Sequence, residues 1–254
     1  MTASQPPQSD NGADGLPTPA VHFAPCGDYG PRNRSWQGIP GIERADSGRL
    51  WATLYSGTDG EGPGNFAVLL TSGDDGARWT DPAAVVDPGP GRRAFDPCLW
   101  HDPSGRLWWF WAQCGDNAYF DGRAGVWALR AEPGTSRQAE PTWQGPMRIA
   151  DGIMMNKPTV LSSGEWLLPV ALWNHVQGAP LRDNLAGHGG SGVVVSTDDG
   201  ETFAWRGAAP HVPDKSFDEH MVVERRDGSL WMLVRARYGI AQCISHDGGR
   251  TWTE

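Results

Sequence analysis

One phrase recurs along the 254-residue chain: a short apolar run, a turn closing on glycine, and a second apolar run rich in Leu and Trp. It reads GIERADSGRLWATLYSG from Gly41, PCLWHDPSGRLWWFWAQ from Pro97, PTVLSSGEWLLPVAL from Pro158 and MVVERRDGSLWMLVRA from Met221. The turn glycines Gly48, Gly105, Gly164 and Gly228 fall roughly sixty residues apart, room for four short strands per repeat. Apolar runs bounded by Gly and Asp turns predict antiparallel hairpins, and helical periodicity is nearly absent. A fixed repeat of this kind predicts an all-β chain, a β-propeller of four-stranded antiparallel blades with about four blades present.

Composition agrees where it bears on this. The 34 Gly and 21 Pro supply turns, and the 14 Trp supply flat side chains to wedge between sheets. Trp108, Trp109, Phe110 and Trp111 alternate across one strand and are expected to pack between blades. Residues 1–20 are polar and rich in Pro, Ser and Gly, so they are expected to form a disordered tail, leaving 21–254 for the propeller. A net charge of -9 without a basic stripe argues against nucleic-acid and anionic-membrane partners. No apolar run reaches membrane-span length, and the start of the chain has no basic and apolar export signal, so a cytoplasmic location is expected. Cys26, Cys98, Cys114 and Cys243 have no metal-ligand spacing, so free thiols and no metal are expected.

A second phrase closes three of the four repeats: TSGDDGARW (Ser72, Asp74, Gly76, Trp79), VSTDDGETF (Ser196, Asp198, Gly200, Phe203) and ISHDGGRTW (Ser245, Asp247, Gly249, Trp252). Each fits Ser-x-Asp-x-Gly-x-x-aromatic. The Asp is expected to cap backbone N–H groups, the Gly to take a positive φ, and the aromatic ring to fold onto the blade. The second repeat has only a degenerate version between Glu132 and Trp143.

These boxes, the Ile39-Pro40 opening and the FDEHMVVE…LVRAR unit resemble the sialidase superfamily of Asp-box (BNR-repeat) β-propellers, from about Trp36 to Glu254. The resemblance implies a six-bladed whole, of which this chain has about four, and an active site on the central axis at the strand mouths. It also implies an Arg before Ile-Pro to grip a substrate carboxylate, but Gly38 stands there, after Gln37. Arg34 and Gln37 are the candidates for that corner of the site. By position, Glu61 corresponds to the family's acid/base, Glu219 to the residue that activates a Tyr nucleophile, and Arg235 to a carboxylate-gripping Arg.

Other polar residues enter the blades at matching phase: Arg93 and Asp96, Asn156 and Lys157, Asp218 and His220. Polar residues at one phase of successive repeats are expected to converge on a pocket. His220 is a further acid/base candidate, although a buried hydrogen-bonded ring is the commoner role for such a residue. His175 and His188 lie in a Gly-rich loop that would form a lid. The resemblance implies a glycoside hydrolase, exo-acting on a terminal, possibly acidic, sugar, with carbohydrate as partner and no cofactor. Two alternatives stay open. One is a lyase or rhamnosidase-type propeller enzyme that uses His220; the other is a non-catalytic glycan-binding propeller.

Overall fold

The computed structural model describes residues 16–25, 27–57, 59–115, 122–173, 180–209, 212 and 214–253, without the side chains of Lys215, Ser216 and Asp218. Four antiparallel sheets follow one another along the chain as the blades of a four-blade β-propeller. Blade one holds β1 (Ala20–Phe23), β2 (Trp36–Arg44), β3 (Leu50–Gly57), β4 (Phe66–Ser72) and β5 (Ala84–Asp87), in the order β1-β5-β4-β3-β2. Blade two is β6 (Arg92–His101), β7 (Leu107–Gly115), β8 (Gly125–Ala131) and β9 (Trp143–Asp151). Blade three is β10 (Thr159–Val160), β11 (Trp166–Leu172), β12 (Gly190–Ser196) and β13 (Ala204–Ala208). Blade four is β14 (Lys215–Glu224), β15 (Leu230–Ala236) and β16 (Gly239–Ser245).

The repeated glycine turn is the same device in all four blades. Ala45 N–H donates to Arg49 O at 2.8 Å and Gly48 N–H to Ala45 O at 2.8 Å, and the turns at Gly105, Gly164 and Gly228 repeat both bonds. Each turn glycine has a φ between 76° and 91°, where a Cβ would be strained. The boxes close the third strands just as uniformly. In the last one Ser245 Oγ donates to Asp247 Oδ1 at 2.8 Å, Gly249 N–H donates to Ser245 Oγ at 2.9 Å, and Thr251 N–H and Oγ–H both reach the Asp247 carboxylate. Hydrogen bonds from Thr202 and Ser196 pull Asp198 down to about 2. The same contacts from Thr251 and Ser245 hold Asp247 far below the usual carboxylate range. Trp252 folds in, whereas Trp79 of the first box is 39% exposed.

The core lies between blades, and strand alternation decides which interface each ring joins. Trp109 and Trp111 pack with Trp51, Leu69 and Val86 of blade one, while Trp108 and Phe110 pack with Trp166 and Leu168 of blade three. Indole N–H groups that would otherwise be buried unsatisfied are used as cross-blade bolts: Trp109 Nε1 donates to Thr53 Oγ1 at 2.8 Å and Trp51 Nε1 to Ser136 O at 2.8 Å. Ala20–Phe23 forms a fifth strand on the outer edge of blade one, pairing Ala20 with Asp87, and Pro17 O accepts a bond from Gln113 Nε2 at 3.0 Å. Cys98, Cys114 and Cys243 are buried, and Cys26 lies outside the described residues.

Candidate functional site

Antiparallel pairing puts the starts of the first strands, the ends of the second strands and the β3–β4 loop at one end of the sheets. There β2 and β6 both slip register at an X-Pro step, between Gly38 and Gly41 and between Phe95 and Cys98. The residue before each proline, Ile39 and Asp96, has a positive φ of 42° and 46°. Non-glycine residues pay strain for this conformation, which recurs at sites where a bulge re-aims a side chain. Both residues line a cavity of about 470 Å³ together with Glu61, Arg93, Phe95, Trp173, Phe217, Glu219 and Arg235.

Glu61 is held from two sides. The Tyr55 hydroxyl, fully buried at the end of β3, donates to Glu61 Oε1 at 2.5 Å. The loop backbone on either side is fixed by Asn65, whose Oδ1 accepts from Gly62 N–H at 2.7 Å and whose Nδ2 donates to Gly60 O at 3.0 Å. Asn65 O in turn accepts from Ala94 N–H at 2.9 Å, so the loop is keyed to blade two. Burial and the bond to Glu61 push the Tyr55 phenol far above its ordinary range, so it stays a hydrogen-bond donor.

Arg93 and Asp96 reach the same cavity from β6. Arg93 is 9% exposed, with its guanidinium 4.0 Å from the centre of the Phe95 ring. Its Nε is buried without a hydrogen-bond partner among the described residues. Burial, with Glu219 and Glu61 nearby and Arg93 opposing, raises Asp96 to about 7. From blade four, Arg235 donates to Glu219 Oε2 at 2.6 Å and lies over the Phe217 ring. The walls are aromatic: Trp173 packs on Phe217 at 4.8 Å and near Phe95 at 6.3 Å.

Glu61, Arg93, Asp96, Glu219 and Arg235 thus share one cavity, while the other candidates whose side chains are described do not line it. His220 has the buried, hydrogen-bonded role named above as the commoner one for such a residue. Alternation along β14 turns it away from Glu219 into the sheet, where it is 2% exposed with Nε2 2.7 Å from Gly192 O. Asn156 spends its amide on His220 O at 2.9 Å, and Lys157 is drawn to Ile42 O and the Glu43 carboxylate. Gln37 is an exposed residue of β2, and Arg34 sits behind a 3-10 turn, Pro31–Asn33, where burial lowers its pKa and Asp81 opposes. The Asp218 side chain and His175 lie outside the described residues, and His188 stacks on Trp205 at 4.8 Å. Sequence reasoning missed Tyr55, Asn65, Trp173 and Phe217. The loop SGTDGEGPGN contains Asn65 at its end, but nothing local says that its amide closes on Gly60 and Gly62.

The position that resembles the family's carboxylate-gripping Arg is filled from elsewhere. A Cβ on Gly38 would lie 2.8 Å from Trp36 Cζ2, because the Trp36 ring crosses over this residue and meets Tyr55 edge-on at 4.9 Å. No group among the described residues gathers three or more His, Cys, Asp or Glu side chains around a metal position.

Comparison with known proteins agrees with this architecture. The profile of the BNR repeat-like domain matches residues 45–254. A sialidase of Paraclostridium sordellii is 36% identical over 95 residues, covering 37% of this chain and 21% of that protein. Among solved structures, a Hadza microbial sialidase superposes with TM-score 0.64 at 18% identity, over 88% of this chain and 47% of that one. A mutant of the NanB sialidase of Streptococcus pneumoniae gives 0.62 at 12%, over 93% and 53%. A Dyadobacter fermentans protein of unknown function gives 0.62 at 21%, over 93% and 71%. The chain therefore spans about a fifth of the curated sialidase and about half of the sialidase structures. With blades, boxes and profile in agreement, the chain belongs to the BNR repeat-like family of sialidase-type propellers.

Proposed function

We propose that the protein is a sialidase-like glycoside hydrolase, exo-acting on a terminal sugar that carries an anionic or strongly polar substituent. The observation that carries this reading is the mouth cavity, in which the fixed carboxyl of Glu61 shares aromatic walls with the guanidinium groups of Arg93 and Arg235. Sugar rings stack their C–H faces on aromatic walls. A buried guanidinium whose Nε has no hydrogen-bond partner among the described residues favours an anionic or hydroxyl-rich ligand.

In this reading Glu61 protonates the glycosidic oxygen as the bond to the anomeric carbon breaks, and recovers the proton from the water that completes hydrolysis. Tyr55 and Asn65 keep that carboxyl in place. Arg93 and Arg235 hold the polar substituent, and Glu219 keeps Arg235 oriented. The named relatives include sialidases, which supports a sugar substrate of this general class.

The filled corner at Gly38 favours a second reading, a propeller that binds a terminal glycan without cleaving it, because one charge-assisted grip is absent. The test is a panel of aryl glycosides, including sialosides and uronides, assayed with the full-length natural protein and with Glu61→Gln. Turnover of one glycoside that is lost in Glu61→Gln supports hydrolysis. Saturable glycan binding without product, unchanged in Glu61→Gln, supports the binding reading.

A further inference from the structure

At the other end of the blades lies a cluster that the mouth does not use. His101, at the end of β6, has Nε2 3.2 Å from Ser136 Oγ and Nδ1 3.2 Å from Glu43 Oε2. We propose that Ser136, His101 and Glu43 form a second hydrolytic centre, on the face opposite the mouth, that cleaves short carboxylic esters.

The roles follow from the connectivity. With a proton on Nδ1 donated to Glu43, the other ring nitrogen accepts from the Ser136 hydroxyl, the arrangement a serine nucleophile needs. Glu43 is fixed in turn: its other oxygen takes the Lys157 ammonium, which also bonds Ile42 O at 3.1 Å. Against the effect of burial, the bonds from His101 and Lys157 keep the Glu43 carboxyl below its ordinary pKa. It remains ionised and stabilises a positive ring.

Ser136 is fixed as firmly. It is the centre of a 3-10 turn, Thr135–Arg137, entered through Gly134 at a φ of 74°. Its carbonyl is held by Trp51 Nε1, and that of Arg137 by Arg49 Nε at 3.2 Å. A cavity of about 460 Å³ opens onto Ser136 and His101, with Arg44, Ser104, Gly134 and Arg137 in its wall. Ser136 is 2% exposed, so an ester must approach from the cavity. Arg137 is paired with Asp46, whereas Arg44 has no ion pair among the described residues and gives the cavity positive charge for an oxyanion. The size of the cavity fits a short acyl group on a polar alcohol.

The step balances without a co-reactant other than water. Ser136 Oγ adds to the ester carbonyl carbon while its proton passes to His101 Nε2. The alcohol leaves with that proton, and water then releases the acid and restores Ser136.

The test uses the full-length protein, p-nitrophenyl acetate and a fluorophosphonate probe. The expected result is a burst of p-nitrophenol and a single label that mass spectrometry maps to Ser136. Ser136→Ala, with an unchanged thermal midpoint, is expected to lose the label and to lower ester turnover on the order of a hundredfold or more. Wild-type protein labelled nowhere, or labelled away from Ser136, overturns the proposal, and this arm is independent of whether the variant folds. Ester turnover unchanged in folded Ser136→Ala overturns it as well, leaving the three residues as a staple between blades.

Discussion

The Tyr55 hydroxyl donates a 2.5 Å hydrogen bond to Glu61 Oε1, across a loop that Asn65 closes on both sides. The phenol is fully buried, so the bond joins a rigid donor to a carboxylate that reaches the cavity. Tyr55→Phe removes one charged hydrogen bond and nothing of the ring's packing. Urea unfolding should show a loss of about 1–3 kcal/mol. Glycoside turnover should fall through kcat, with KM little changed, because Tyr55 acts on Glu61 rather than on the sugar. A fall in KM-controlled binding alone would contradict this assignment.

Asp96 sets a pH dependence of unusual sign. Its folded pKa, raised to about 7 by burial and by Glu219 and Glu61, lies above the ordinary carboxyl value. Between about pH 4 and 7 the folded state therefore holds a proton that the unfolded chain has released, and this contribution to stability declines as pH rises. A shift of about three units corresponds to about 4 kcal/mol as an upper figure. Asp96→Asn carries no such charge. Denaturant titrations at pH 5 and pH 8 should find the variant gaining on wild type as pH rises, and a constant difference would refute the shift.

The boxes act in the opposite direction. Asp198 and Asp247 have folded pKa values below the ordinary one, so their contribution is present at neutral pH and is lost as acid approaches those values. Ser245→Ala removes the hydroxyl that ties Asp247 to Gly249 N–H and should cost about 1–2 kcal/mol at neutral pH. Asp247→Asn should move the acid-unfolding midpoint to higher pH, measured by circular dichroism.

Trp36 and Gly38 should be coupled. Any Cβ at 38 meets the Trp36 ring, so Gly38→Ala is expected to lose about 1–3 kcal/mol in a thermal melt. In a Trp36→Ala background the same change should be much milder. Additivity of the two changes would mean that the ring does not occupy this corner.

The fold was legible because its signals are local and repeat. A glycine at positive φ and a Ser-x-Asp-x-Gly box can each be read within ten residues, and four in-phase copies exclude most alternatives. The site was legible only in part. Glu61, Arg93, Asp96, Glu219 and Arg235 line one cavity; phase pointed to Arg93 and Asp96, and the resemblance to the other three. Asn156 and Lys157 have the same phase, but their neighbours across the axis are His220 O and Glu43, and those contacts depend on blade geometry. Tyr55 reads as a core aromatic, and only the folded loop brings Glu61 to its hydroxyl. The strand Ala20–Phe23 is short and follows a polar stretch, and its partner in β5 lies more than sixty residues ahead.

The boxes and the mouth cavity lie at opposite ends of the same strands, and in blade four Ser245 pairs with Leu230 while Arg235 pairs with Ile240. The boxes that hold the third strands of blades one, three and four down are therefore not the residues that line the mouth. The mouth can thus be revised while the fastening at the far end stays intact. A lineage of such chains is free to explore new ligands without first surrendering its blades.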